Sequence, residues 1–98
     1  MFLMLGSVAR GPIACGVDAN PLRAYTTGIV NATGGGIDHV ISIVGWGQDA
    51  ASGQSYWIMR NSWGSYWGEF GYARVAFGAL NIEGIGRACM LVGLSLWI

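Results

Sequence analysis

Two β-branched stretches around one polar turn constrain this chain most: HVISIVGWG, His39 to Gly47, and SYWIMRN, Ser55 to Asn61, joined by QDAASGQ. Runs rich in Val, Ile and aromatics that flank a turn of small polar residues pair as an antiparallel hairpin. Gly-Trp-Gly reads as the breaker that ends the first strand. Antiparallel pairing returns the end of the second strand to the start of the first. The spacing therefore predicts that His39 and Asn61 meet at one edge of a sheet.

That meeting has a chemical use. An imidazole titrates near neutrality and can take a proton from a nucleophile and return it to a leaving group, provided the correct ring nitrogen faces the nucleophile. An amide oxygen accepting from the other ring N–H fixes the tautomer without adding a negative charge, which suits an imidazolium paired with a thiolate. A lone histidine is more commonly a partly buried residue bonded to a nearby carbonyl; the facing asparagine favours the catalytic reading.

Directly after Asn61 comes SWGSYWGEFGY, Ser62 to Tyr72, an aromatic stretch jointed by glycines. Trp63 is expected to cover the His–Asn bond and exclude water, which strengthens it by lowering the local dielectric. Trp67 is expected to anchor the loop to the body, with Gly64, Gly68 and Gly71 turning the backbone beneath the rings. The plainer alternative is that Trp63 and Trp67 are core aromatics in a glycine-rich turn.

Elsewhere the elements are shorter. Residues 1–10 read as the end of a buried helix stopping before Gly11-Pro12. PIACGVDA alternates Ile13, Cys15 and Val17 as a half-buried strand. ANPLRAYTTGIV turns at Asn20-Pro21, makes a helical turn over 22–25 and runs extended through Ile29 and Val30. NATGGGID is a surface loop, GYARVAF a further strand, and Gly78 to Ile98 stays unassigned. Gly34 to Gly36 form no phosphate loop, because no lysine follows and the next segment is a strand. Asp38 either tunes His39 or is a solvated loop carboxylate.

Composition narrows the partners. Five arginines against five acids leave no net charge, which argues against nucleic acid. The longest uncharged apolar run, Ala88 to Ile98, falls well short of the roughly 20 residues of a membrane-spanning helix. Met1 to Leu5 lacks the basic start of a signal peptide. Only 10% of the residues are charged and 53% are hydrophobic, against roughly 25% charged in an ordinary soluble domain. So apolar a chain of 98 residues reads as the buried face of something larger. No metal or cofactor is expected.

DHVISIVGWG and YWIMRNSWGSYWGEFGYARV resemble the catalytic-histidine and asparagine–tryptophan motifs of the papain-like cysteine peptidases. ARGPIACGVDA, YTTGIV and, loosely, NIEGIGRAC resemble the cathepsin Z branch of that family. The resemblance implies an α+β fold of papain type, with residues 1–98 forming the C-terminal, β-rich lobe, an antiparallel and barrel-like sheet, of a domain whose first lobe is missing. It implies His39 as catalytic base and acid and Asn61 as its orienting partner. Trp63, with Ser62, Gly64 and Trp67 continuing the motif, shields that pair and flanks the primed side of the substrate cleft. Peptides or proteins are the implied substrates, the cathepsin Z-like motifs imply trimming from C-termini, and a lysosomal, vacuolar or extracellular setting is implied with them.

The family's nucleophile lies in a C-G-[SA]-C-[WY] stretch roughly 130 to 150 residues ahead of its histidine and asparagine, a position that falls before Met1. Neither ACGV nor ACML matches it, and the glutamine of the oxyanion hole has no counterpart. The resemblance to secretory peptidases implies a Cys15–Cys89 disulfide, with two free buried thiols as the alternative. Cys15 as nucleophile is disfavoured, since a strand offers no cation or helix N-terminus to lower its pKa. Asn31-Ala-Thr33 is a glycosylation sequon in the glycine-rich loop. Tyr25 and Gly28 read as packing and turn residues. The competing functional classes are an inactive pseudopeptidase and a β-rich module that binds sugars through Trp63 and Trp67.

Overall fold

A computed structural model describes residues 8–82 and 89–91. The helix expected over 1–10 lies outside them except for its last turn, residues 8–10, which is helical and closes with the Gly11 amide donating to the Val8 carbonyl at 3.0 Å. Six strands follow: β1 (Ile13–Val17), β2 (Ile29–Val30), β3 (His39–Gln48), β4 (Ser55–Arg60), β5 (Tyr72–Ala76) and β6 (Cys89–Leu91). They form one sheet in the order β2-β5-β4-β3-β1-β6.

The expected antiparallel, barrel-like sheet is open among the described residues, and one of its pairs, β2 with β5, is parallel. The remaining pairs are antiparallel.

The hairpin forms as expected, with one correction. Gly-Trp-Gly does not end β3; the strand runs on to Gln48, and Gly47 pairs with Tyr56. A Cβ on Gly47 would lie 2.7 Å from the Tyr56 hydroxyl oxygen. This glycine admits a close-lying ring rather than breaking the strand. A bulge between Ile43 and Gly45 shifts the register. The connecting turn is tied by the Asp49 carboxylate, which accepts from the Ser52 amide (2.9 Å) and hydroxyl (2.8 Å).

One face of the sheet carries the core. Ile41 and Ile43 of β3, Trp57 and Met59 of β4 and Ala73 and Val75 of β5 are buried together with Ile13, Cys15 and Val17 of β1. The expected turn after β1 arrives earlier than the sequence suggested, as a 3-10 helix at Asn20–Leu22 with Pro21 in its first turn, where a missing N–H costs nothing. In the tail, a second 3-10 helix spans Ala79–Asn81. Among the described residues no helix is long and apolar enough to cross a membrane.

Candidate active site

Strand alternation sets the site. Ser42 pairs with Arg60 and Ile43 with Met59, so one further step places Asn61 opposite Ile41, and both side chains share the core face with His39. His39 begins β3 and Asn61 follows β4, which leaves the pair at the sheet's end, where the core face meets solvent.

His39 Nε2 lies 2.8 Å from Asn61 Oδ1. The same oxygen accepts the Ser62 backbone N–H at 2.8 Å. A backbone N–H can only donate, so it identifies this amide atom as oxygen, and Nε2 must then carry the proton. Nδ1 is left as the basic nitrogen. Asn61 is 8% exposed, and its buried Nδ2 meets no acceptor among the described residues.

Trp63 stacks on the imidazole, with centroids 5.0 Å apart and planes at 26°, and keeps 37% of its surface exposed. Trp67 meets Trp63 edge-on at 5.5 Å, donates its indole N–H to the Leu22 carbonyl at 2.8 Å and packs against Tyr25 at 5.4 Å. Tyr25 in turn donates to the Gly28 carbonyl at 2.7 Å, in keeping with packing and turn roles for both residues. Trp63 and Trp67 are thus two members of one chain of ring contacts running from His39 to Tyr25. Ser62 contributes its backbone, and Gly64 contributes a φ of +94°.

The loop closes on a tight turn. Glu69 and Tyr72 exchange backbone bonds of 2.8 and 3.0 Å, and the residues between them, Phe70 and Gly71, have φ of +57° and +91°, the signature of a two-residue hairpin turn. At Gly68 (φ +59°) a Cβ would sit 2.7 Å from the Tyr72 carbonyl oxygen.

Sequence reasoning missed the brace beneath this loop. Glu69 takes Arg74 in a two-pronged bond, Oε1 to Nε at 3.0 Å and Oε2 to Nη2 at 2.8 Å. The same carboxylate accepts the Thr27 hydroxyl (2.8 Å) and the Gly28 amide (3.3 Å). These bonds, led by Arg74, hold the Glu69 carboxyl at about 2 against burial, and Glu69 in turn raises the Arg74 guanidinium further. The available signal was a carboxylate and an arginine flanking a Phe-Gly turn, which become diagonal cross-strand neighbours.

Cys15 and Cys89 face each other across β1 and β6 and form a disulfide, so Cys15 is no nucleophile. Asp38 is exposed, and its Oδ1 accepts the Ala19 amide at 2.9 Å. Gly35 donates its amide to Asp18, whose carboxyl is lowered first by that bond and then by the Asn20 amide; the glycine loop wraps an internal acid. Asn31 is exposed and remote from the pair in the sheet order. Among the described residues no cluster of three or more His, Cys, Asp or Glu could hold a metal.

This fold has known counterparts. The family described as papain family cysteine protease matches residues 3–92, and the chain belongs to that family. It is 45% identical over 84 residues to fruit bromelain of Ananas comosus and 54% identical over 68 residues to cathepsin Z of Onchocerca volvulus. These matches cover 84% and 67% of the chain but only 24% and 22% of those relatives. Bromelain of Ananas comosus, solved with the inhibitor E64, superposes with a TM-score of 0.75 at 39% identity, over 81% of this chain and 40% of that one. The chain therefore spans about a quarter of the length of the curated relatives it matches.

Proposed function

We propose that residues 1–98 are the C-terminal lobe of a thiol-dependent peptidase, in which His39 moves protons and Asn61 orients it. The observation that carries this reading is the Nε2–Oδ1 bond of 2.8 Å with the oxygen fixed by the Ser62 amide, because it leaves Nδ1 as the basic nitrogen.

The nucleophile must come from a facing lobe, since both cysteines of the chain are joined in the disulfide. Its thiol gives its proton to His39 Nδ1, and the thiolate attacks the peptide carbonyl. The imidazolium then protonates the departing amine, leaving an acyl-enzyme. A water attacks that thioester, His39 takes its proton, the carbon–sulfur bond breaks to release the acid, and the proton returns to the departing thiolate. Trp63 keeps bulk water from the His–Asn bond and lines the primed side of the cleft.

Likeness to cathepsin Z of Onchocerca volvulus supports a carboxypeptidase, acting on peptides in a lysosomal, vacuolar or extracellular setting. The test is reconstitution: the 98-residue chain with a separately produced first lobe bearing the nucleophilic cysteine. Cleavage of peptides is expected only in the mixture, with His39→Ala lowering the rate about 10²- to 10⁴-fold. Sustained cleavage by the chain alone that His39→Ala abolishes would refute the two-lobe reading.

A further inference from the structure

Asn31 and Thr33, the two recognition residues of Asn-Ala-Thr, are both exposed in a segment without regular structure. Neither side chain bonds to another among the described residues. Asn31 follows Val30, the last residue of β2, and among the described residues β2 is an edge strand paired with β5 alone (Ile29 with Arg74, Val30 with Val75). The chain is pinned on either side of the triplet. Before it, the Gly28 amide bonds Glu69; after it, the Gly35 amide bonds Asp18. Within it, the Ala32 carbonyl accepts the Leu80 amide at 3.0 Å.

The Cys15–Cys89 disulfide indicates maturation in an oxidising compartment, where N-linked sugar is added to sequons on surface loops. β3, which carries His39, is three strands from β2 in the sheet order, or about 14 Å at about 4.8 Å per strand. Asn31 is therefore set apart from His39 along the sheet. It adjoins the edge of β2 that has no strand partner among the described residues, the kind of edge that invites pairing with another chain.

We propose that Asn31 is an N-glycosylation site whose oligosaccharide covers the open edge of β2. In the transfer, Asn31 Nδ2 forms a bond to the anomeric carbon of an oligosaccharide carried on a polyprenyl pyrophosphate. The carbon–oxygen bond to the pyrophosphate breaks, the lipid pyrophosphate leaves, and the transferase's base takes the amide proton.

The chain should be produced behind a cleavable signal peptide in a eukaryotic secretory host, as wild type, Asn31→Gln, Thr33→Ala and Thr33→Ser. Wild type and Thr33→Ser are expected to show a mobility shift that peptide-N-glycosidase removes; Asn31→Gln and Thr33→Ala are expected to lose it. Ala50→Asn, which builds a second sequon in the exposed turn after β3, should add a further shift and so report entry into the lumen. No shift in the wild-type chain, or a shift that survives Asn31→Gln, overturns the site. For the covering role, Asn31→Gln is expected to have a smaller monomer fraction than the glycosylated chain by sedimentation; equal fractions overturn that role.

Discussion

Replacing Glu69 with glutamine removes the charge at the centre of the brace while preserving its shape. Its carboxyl stands at about 2 rather than the ordinary 4.5, which is worth at most about 3.4 kcal/mol at neutral pH. The side chain keeps 26% of its surface in solvent, and screening takes roughly half of that, leaving about 1.5 kcal/mol. The sign follows from the direction of the shift. A carboxyl with a lowered folded-state pKa stabilises the fold fully above 4.5, and that contribution drains away as pH falls toward about 2. Urea unfolding of wild type and Glu69→Gln should therefore differ by about 1.5 kcal/mol at pH 7 and by less than half of that at pH 3. The same difference at both pH values, or none at pH 7, would refute the assignment of the lowered pKa to this brace.

Three further outcomes are expected. Gly68→Ala should destabilise by about 2–4 kcal/mol, since it combines a positive φ with a collision on the Tyr72 carbonyl, whereas Gly53→Ala, with open space around it, should cost only about 1 kcal/mol; equal urea midpoints for the two variants would contradict this. Trp67→Phe keeps the ring but loses the bond to the Leu22 carbonyl, and should cost about 1 kcal/mol by thermal melting, with an unchanged melting temperature counting against the anchor. Replacing Cys15 and Cys89 together with serine should lower stability by about 2–5 kcal/mol, and thiol counting on the unfolded wild-type chain should find no free thiol.

Part of this was legible from local pattern alone. The β3–β4 hairpin, the strand at β5 and the meeting of His39 with Asn61 follow from period-two alternation on either side of a short polar turn, where loop closure is cheap and register is dictated by which face is apolar. The closeness of Trp63 to His39 was suggested by its place two residues after Asn61, where the chain leaves β4.

Other features were decided only by the tertiary structure. No local signal says that β1 lies between β3 and β6, that two residues at Ile29 and Val30 add to β5 in parallel, or that Gly47 exists for the ring of Tyr56. Glu69 and Thr27, 42 residues apart, share a bond because the sheet brings them together. Sequence pattern specifies which face of a segment avoids water, a property of neighbouring residues. The choice of partner for that face depends on how all the segments pack at once, because burial is non-directional and rewards any close-packed arrangement. Here the sequence pattern determined that His39 and Asn61 meet, and the packed sheet determined what holds that pair in place.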